Sequence, residues 1–454
     1  MVVPNSEYAE RRRRFMESMG QGVAVFASTP VAIRNNDVEH EYRQDSDLFY
    51  LTGFDEPESV LILSTEHAEH RMVLFVRPRD PERETWDGPR AGIEGAKARF
   101  GADEAFPMAE LSKKLPEYLK DVKRLHYRLG VDRAFDNVLL NAIDDVRRRA
   151  RMGITPPREI VDPSVILHEM RLRKSGAEIE VMLKAAAITR EAHARAMVVA
   201  RPGRYEYEVE AEIMRVFRMH GAERPAYGSI VGSGVNATVL HHRRNDRQMK
   251  DNELLLIDAG AEFGYYACDV TRTFPVSGKF TAEQRAAYQL VLDSQLAAIE
   301  AVKPGATLPG IHAVALRVLV RGLIKLGIIE GPEDTAIEKE LFKPYYMHRT
   351  SHWLGMDVHD VGDYHVPIPA GQPLPADPKA PRTQPRPIEP GFVLTIEPGL
   401  YFAPTTPCDP KWHGIGIRIE DDVLVTPEGH RVLTEGIPKG VDELERVLGS
   451  RPAA

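Results

Sequence analysis

Residues 254–272 read LLLIDAGAEFGYYACDVTR, and the fold prediction starts from this stretch. An apolar run of strand length, 254–257, ends in Asp258, and Asp269 follows within a second strand-like run. A tight turn at Phe263-Gly264 would close a β-hairpin in which the two aspartates lie directly opposite each other. Like charges in that position destabilise a sheet, so the pattern predicts a cation between the two carboxylates.

The same pattern occurs twice more downstream. Glu397 ends the apolar run 393–396, and Glu420 ends the run 416–419. A single acid in such a position is typical of a salt-bridged strand end. Four carboxylates converging at about 4 Å would cost about 4 kcal/mol per pair at an effective dielectric near 20, which a marginally stable fold cannot absorb. Either the four acids do not converge, or metal ions hold them together.

A cluster of histidines offers a further ligand type. His348, His352 and His359 lie within twelve residues, and His241 and His242 lie elsewhere in the chain. A lone histidine among apolar neighbours is usually a packed core residue, whereas three together indicate a site. Carboxylates with one imidazole suit Mn²⁺, Fe²⁺ or Co²⁺ better than a structural zinc site.

The apolar runs and helix-capping signals along the rest of the chain predict an α+β fold with two domains. Short apolar strands at 22–27, 59–64 and 71–76, with helical spacing over 89–124, indicate a mixed α/β domain over residues 1–172. Capping boxes at Ser175 and Thr281, and a third helix from about Leu308, alternate with strand pairs in a second domain, 173–445. The proline-rich segment 366–390 should be an extended surface loop outside any sheet.

Composition narrows the possible functions. The 454 residues include 59 Lys and Arg against 67 Asp and Glu, and this net charge of −8 argues against nucleic acid as a partner. Two cysteines, Cys268 and Cys408, exclude a disulfide framework and favour a reducing compartment, so we expect a cytoplasmic protein, and Cys268 should be a core residue. No apolar run is long enough to span a membrane.

Several motif matches have simpler explanations. The arginines at 11–14 loosely resemble an export signal, but the next apolar run, 23–27, is too short, and we interpret the arginines as a solvated helix face. The glycine pattern at 232–237 lacks the context of a dinucleotide site, and the chain has neither a phosphate-binding P-loop nor a nucleophile elbow. Arg349 follows His348 where a zinc protease needs glutamate.

Taken together, the motifs resemble those of the pita-bread metallopeptidases, and most closely the aminopeptidase P (Xaa-Pro aminopeptidase) group. The resemblance is carried by the spacing of Asp258 and Asp269, by SHWLGMDVHD at 351–360, LTIEPGLY at 394–401 and GIRIED at 416–421, and in the N-terminal part by YAERR at 8–12, RNND at 34–37 and RQDSDLFYLTGFDEP at 43–57. It covers nearly the whole chain and implies a C-terminal pita-bread domain. The sequence departs from the family at Arg349, where glycine is frequent, and in the longer loop before Glu397.

The resemblance also implies site residues and a cofactor. Asp258 would bind one divalent metal ion, His352 and Glu397 a second, and Asp269 and Glu420 both ions; Mn²⁺ is expected, with Co²⁺, Fe²⁺ or Zn²⁺ as alternatives. Glu397 would accept a proton from the attacking water, His241, His348 and His359 would contact the scissile peptide, and Arg418 would orient the carboxylates.

The implied activity is removal of an N-terminal residue from peptides with proline in second position, by a homodimer or homotetramer. Two alternatives stay open at this stage. One is a prolidase restricted to X-Pro dipeptides, which shares all five metal ligands. The other is a pita-bread protein that only binds its ligand, which should lack one or more of the five.

Overall fold

A computed structural model of the chain describes residues 3–375, 377 and 379–451. The chain divides into two compact units, of which one ends at Met170 and the other begins at Arg171. The domain limits drawn from the sequence, 1–172 and 173–445, stay predictions. Along the described part of the chain, no helix combines the length and the apolar character that crossing a bilayer requires.

The first unit is built on a mixed sheet. The helices that begin in this unit are α1 (Asn5–Met19), α2 (Ser46–Thr52), α3 (Pro81–Asp87), α4 (Gly92–Phe100), α5 (Leu111–Leu119), α6 (Arg133–Arg148) and α7 (Ser164–Leu172). The strands are β1 (Val23–Ala27), β2 (Ile33–Asn35), β3 (Val38–Glu39), β4 (Val60–Ser64), β5 (Met72–Val76), β6 (Glu104–Pro107), β7 (Arg124–His126) and β8 (Glu159–Val161). The predicted strands are β1, β4 and β5, which lie together in a six-stranded sheet of order β6-β5-β4-β1-β7-β8.

The arginine run does not form a solvated face, so that prediction is wrong for two of its four residues. Arg11 and Arg12 are buried in α1, whereas the next two arginines are exposed. Their Nη1 atoms donate hydrogen bonds to the carbonyl oxygens of Tyr50 (3.2 Å) and Leu51 (2.8 Å). These carbonyls lie in the last turn of α2, where a helix has no donors of its own, so the buried guanidinium groups supply them.

The second unit contains longer helices and several small sheets. Its helices are α8 (Gly176–Val199), α9 (Glu206–Met219), α10 (Ala282–Glu300), α11 (Leu308–Lys325), α12 (Glu333–Glu338) and α13 (Val441–Gly449). Its strands are β9 (Arg224–Pro225), β10 (Ile230–Ser233), β11 (Leu254–Asp258), β12 (Ala261–Phe263), β13 (Tyr266–Ala267), β14 (Thr271–Pro275), β15 (His365–Pro367), β16 (Thr383–Pro385), β17 (Val393–Ile396), β18 (Gly399–Phe402), β19 (Ile415–Arg418), β20 (Asp421–Thr426) and β21 (Gly429–Val432). The predicted capping boxes at Ser175 and Thr281 are both present.

The hairpin around residue 264 forms, but its register differs from the prediction. Phe263 pairs with Tyr266, so the turn is Gly264-Tyr265, and both turn residues have positive φ (57° and 70°). Two-residue turns in which both residues have positive φ match the right-handed twist of a hairpin. The predicted turn, Phe263-Gly264, lies one residue earlier and is not formed. Asp258 consequently pairs with Thr271 rather than with Asp269.

The proline-rich segment is not wholly outside a sheet, and that prediction is wrong at its two ends. Strands β15 and β16 pair antiparallel as an isolated ribbon that includes Pro367 and Pro385. A ribbon of two strands has only edges, where proline is tolerated because the missing N–H leaves no ladder bond broken. Positions 376 and 378, between these strands, lie outside the described residues.

Backbone pairing brings the histidine segment beside β17. Thr395 N donates to the carbonyl oxygen of His352 (3.0 Å), and Glu397 N donates to that of Thr350 (2.8 Å). Trp353 is fully buried between these elements and packs edge-to-face on Phe392, with ring centroids 5.5 Å apart. This packing fixes the direction in which the neighbouring side chains leave the backbone.

Gly260 is the hairpin glycine with the least room for a side chain, and its substitution tests the observed register. A Cβ at this position would lie 1.7 Å from the carbonyl oxygen of Cys268, a buried residue as predicted. We expect Gly260→Ala to lower the free energy of unfolding by about 1–3 kcal/mol or more, because backbone atoms must move. Thermal unfolding measures this loss. Gly176→Ala is the control, since a Cβ there meets no atom within 4 Å; equal midpoints for the two variants would contradict the register.

Candidate metal centre

One cavity of about 920 Å³ in the second unit contains every site residue that the sequence suggested. These residues are His241, Asp258, Asp269, His348, His352, His359, Glu397, Arg418 and Glu420. They come from segments up to 179 positions apart in the chain, so only the tertiary fold brings them together. The convergence that the sequence left open does occur.

The acids lie at the ends of strands. Asp258 is the last residue of β11, Asp269 precedes β14, Glu397 follows β17, and Glu420 lies between β19 and β20. Strands β11, β14, β17 and β19 are buried along their whole length, and this holds the adjacent backbone in place. The carboxyl groups are therefore carried by a strand end or by positions within two residues of one, where the backbone is held in place, as a precise ligand geometry requires.

Asp258 is held by two partners. Tyr227 donates its hydroxyl hydrogen to Oδ1 (2.6 Å), and Arg418 Nη2 donates to Oδ2 (2.6 Å). Burial raises the pKa of Asp258 despite the opposing charge of Arg418, and the nearby charge of Asp269 raises it further. Both carboxylate oxygens are thereby oriented before any ligand binds.

Arg418 connects this aspartate to the rest of the cavity wall. Its Nη1 donates to the hydroxyl of Tyr401 (2.9 Å), and its Nε donates to Oγ1 of Thr271 (3.1 Å). Thr271 in turn donates to Oε2 of Glu420 (2.7 Å). The guanidinium group of Arg418 thus orients the Asp258 carboxylate directly and the Glu420 carboxylate through the hydroxyl of Thr271. Such a fixed fork of donors is particular to arginine.

Sequence reasoning missed three of these polar residues. Thr271 carried a signal, because it is a hydroxyl residue inside the stretch read as a core hairpin. Tyr227 and Tyr401 carried none, because a tyrosine among apolar residues is typical of an ordinary core. Their hydroxyl partners become visible only when strands distant in sequence are placed side by side.

His352 faces the acids with one particular nitrogen. Its Nδ1 lies 2.9 Å from the carbonyl oxygen of Trp353, so Nδ1 carries the hydrogen. Its Nε2 lies 3.4 Å from Oδ2 of Asp269 and 3.6 Å from Oε1 of Glu397. A second hydrogen bond that fixes the tautomer is usual for histidines that bind metals.

The pKa values of the cavity groups are shifted because these groups are buried and several charges lie close together. Burial raises the pKa of Glu397 to about 7 and raises the pKa of Glu420 well above its ordinary value, and the other carboxylates add to the rise at Glu420. Burial also acts on His352, but the hydrogen bond to Asp269 and the charge of Glu397 outweigh it and raise its pKa to about 9. Asp269 is likewise buried, yet its pKa is lowered because His352 donates to it.

The donor set fits divalent cations. Ligand atoms of Asp269, His352 and Glu420 lie within 4.8 Å of one another. Oδ1 of Asp269 is buried and has no hydrogen-bond partner among the described residues, although a buried polar atom normally has one. A cation would supply the missing partner and relieve the repulsion between the carboxylates.

The other three histidines line the same cavity with different surroundings. His348 accepts at Nε2 from the Tyr401 hydroxyl (2.9 Å) and donates from Nδ1 to the carbonyl oxygen of Arg349 (2.7 Å). Burial, with the charge of Arg418, lowers its pKa to about 3, so it is neutral. His359 packs edge-to-face on His352 at 4.4 Å, and burial and that neighbour lower its pKa. His241 is exposed on the cavity wall.

A second group of potential ligands, Glu206, His242 and Asp246, has a different role. The Glu206 carboxylate is fully buried, and its oxygens already accept from Ser233 N (2.7 Å), Asn236 Nδ2 (3.1 and 3.2 Å) and Arg247 N (3.1 Å), and contact His242 Nε2 (3.1 Å). With both oxygens engaged, Glu206 anchors the segment that carries His241 rather than leaving ligand positions free.

The charge distribution of the cavity predicts how stability depends on pH when metal is removed. The folded state holds a proton on Glu397 up to about pH 7 and one on His352 up to about pH 9, whereas their ordinary values are 4.5 and 6.5. These two groups make the folded state bind more protons, whereas His348 and His359, whose pKa values are lowered, oppose them below about pH 6.5. The free energy of unfolding should therefore fall as pH rises from about 6.5 to 9.

Denaturant unfolding in chelator at several pH values measures this slope. Glu397→Gln should lessen this fall around pH 7, because the titrating carboxyl is gone. Added Mn²⁺ should raise the midpoint most at the alkaline end, where the carboxylates are ionised. A metal-free protein that becomes more stable from pH 6.5 to 9 would contradict this account of the cavity.

Comparison with known proteins places these residues in a family. Residues 180–427 match the family model for metallopeptidase family M24, and residues 8–127 match that for the aminopeptidase P N-terminal domain. The chain is 41% identical over 449 residues to the Xaa-Pro aminopeptidase of Escherichia coli (strain K12), a match that covers 98% of each chain.

Solved structures agree with the sequence matches. The structure of Pseudomonas aeruginosa aminopeptidase PepP is similar with a TM-score of 0.94 and 48% identity, over 99% of both chains. Zinc-substituted Escherichia coli aminopeptidase P in complex with product is similar with a TM-score of 0.93 and 40% identity, over 100% of both chains. The family and the α+β fold predicted from the motifs are confirmed: the chain belongs to metallopeptidase family M24, with an aminopeptidase P N-terminal domain ahead of its pita-bread domain.

Proposed function

We propose that this protein is a metal-dependent aminopeptidase that hydrolyses the bond between an N-terminal residue and a following proline. The observation that carries the proposal is the convergence of Asp258, Asp269, His352, Glu397 and Glu420 on one cavity. Two relatives that each match 98% of the chain are Xaa-Pro aminopeptidases, which supports the same substrate class.

The proposed cofactor is a pair of divalent cations, with Mn²⁺ preferred over Co²⁺, Fe²⁺ or Zn²⁺. Asp258 would hold one ion, His352 and Glu397 the other, and Asp269 and Glu420 both. The unpartnered Oδ1 of Asp269 supports this division, as does Nε2 of His352, which faces Asp269 and Glu397. When bound, the cations would lower the pKa of a water molecule and polarise the scissile carbonyl.

Glu397 is the proposed acceptor of the proton from the attacking water. It is the most accessible of the four acids, with 18% of its side chain exposed, and it lines the cavity where a peptide would lie. Its raised pKa describes the metal-free cavity, and neighbouring positive charge would lower it toward the ionised form that a base requires.

The histidines would hold the peptide. His348 is neutral, with its hydrogen on Nδ1 directed to a backbone carbonyl, so we assign it to the positioning of substrate rather than to proton donation. His241 and His359 can donate to the carbonyl oxygen as negative charge develops there. The leaving nitrogen of proline carries no hydrogen, so the shape of the cavity must select the ring.

The two alternatives drawn from the sequence are less well supported. A binding protein that has lost its metal site should lack a ligand, and all five line the cavity. A prolidase would share these ligands, but the relatives from Escherichia coli and Haemophilus influenzae, each matching 98% of the chain, are Xaa-Pro aminopeptidases. The homodimer or homotetramer and the cytoplasmic location expected from the sequence stay predictions.

A panel of peptides tests the function. Purified protein is treated with chelator, dialysed, supplied with Mn²⁺, and assayed on X-Pro dipeptides, X-Pro tripeptides and longer peptides, with X-Ala peptides as the control. We expect activity only after the metal is restored, release of one residue, and no cleavage of X-Ala. Cleavage confined to dipeptides would favour prolidase, and failure on every X-Pro peptide would overturn the proposal.

Asp269→Asn tests the shared ligand. The substitution keeps the size of the side chain and removes a charge that we assign to both ions, so turnover should fall by at least about a thousandfold and bound metal should decrease. Metal analysis and kcat measure the two effects. Asp409→Asn, an exposed site outside the cavity, is the control. Full turnover with full metal content in Asp269→Asn would refute the assignment.

A further inference from the structure

Two arginines on the cavity wall are not used by the proposed chemistry. Arg243 and Arg349 both line the cavity and are exposed to solvent. Among the described residues, neither guanidinium group has an ion pair or a hydrogen-bond partner. Arg418, in the same cavity, is buried and has all three of its donor nitrogens engaged. The two exposed arginines therefore have donors available for a ligand.

The position of Arg349 follows from its neighbours. Its carbonyl oxygen accepts from His348, and the next residue, Thr350, is fully buried against His312 (2.7 Å between Oγ1 and Nδ1). The backbone is thus fixed on both sides of the arginine. Burial, together with the charge of Arg349, lowers the pKa of His312 to about 4, consistent with a guanidinium that lies beside the cavity wall.

The cavity is consequently divided by charge. The four carboxylates lie at its buried end, with Asp269 only 5% exposed and Glu420 2% exposed. The two free arginines lie at its exposed part. The second group attracts an anion, and a guanidinium group binds a carboxylate through two parallel hydrogen bonds. The exposed part is therefore suited to a carboxylate.

The direction of the substrate decides which part of it reaches the arginines. An enzyme that removes a single residue has room for one residue on the amino side of the scissile bond, next to the acids. Every later residue must extend away from them, toward the opening. This step depends on the proposed function, because it takes the acids to mark the position of the scissile bond.

We propose that Arg243 and Arg349 form a subsite for a carboxylate on the part of the peptide that follows proline. The carboxylate is either an acidic side chain or the free C-terminus of a short peptide. The subsite makes the enzyme faster on peptides that carry negative charge beyond proline than on neutral ones.

Four peptides distinguish these sources: Ala-Pro-Ala-Ala amide, Ala-Pro-Glu-Ala amide, Ala-Pro-Lys-Ala amide and Ala-Pro-Ala-Ala with a free carboxyl end. We expect kcat/KM for the glutamate peptide to exceed that for the neutral amide by about threefold to tenfold at low salt, with the lysine peptide slowest. The ratio should fall toward one in high salt, because exposed charges are screened. A preference for the free acid alone would assign the subsite to the chain terminus.

Variants connect the preference to the two residues. Arg349→Gln and Arg243→Gln should each lower the ratio of kcat/KM between the glutamate and neutral peptides, and the double variant should bring it to about one. Arg349→Lys should keep part of the preference. Lys343→Gln is the matched control, since it removes one positive charge from the same segment at an exposed side chain outside the cavity, and it should leave the ratio unchanged.

The outcomes separate this inference from the function on which it rests. If the wild-type protein cleaves none of the four peptides, the proposed function fails. If it cleaves all four with equal kcat/KM, the function stands and the subsite is refuted. An acidic preference that survives in the double variant would also refute the subsite, because another group would then be its cause.

Discussion

Four carboxylates at one end of one cavity impose the main physical constraint on this protein. Asp258, Asp269 and Glu420 are each at most 8% exposed, so little water screens their repulsion. At an effective dielectric near 20, each pair at about 4 Å costs about 4 kcal/mol, comparable to a large part of the stability of a domain. The protein must therefore neutralise these groups, by protons when metal is absent and by cations when metal is bound.

The surrounding structure is arranged to meet this constraint. Arg418 places one positive charge between Asp258 and the hydroxyl that holds Glu420, and His352 places an imidazole between Asp269 and Glu397. One arginine and one histidine do not balance four acids. The raised pKa values of three of the acids express this shortfall, and divalent cations are the natural means to remove it.

Much of this could be predicted from the sequence. Capping boxes located α8 and α10, and apolar runs located β11 and β17, because these signals depend on neighbours a few residues away. The register of the hairpin could not be predicted in this way. It depended on whether Tyr265 would accept a left-handed backbone, and tertiary packing around the turn overrides the ordinary reluctance of such a residue.

The sequence by itself determined the chemistry: which acids end apolar strands, which histidines cluster, and a net charge that argues against a nucleic-acid partner. The tertiary structure alone decided which of these groups meet and how they are oriented. Tyr227 and Tyr401 joined the site, and Arg11 was buried rather than solvated. Within the described part of the chain, two arginines of the cavity wall were left without partners. Each result depends on segments distant in sequence. Local patterns record the preference of each segment, and only packing assigns each polar group its partner.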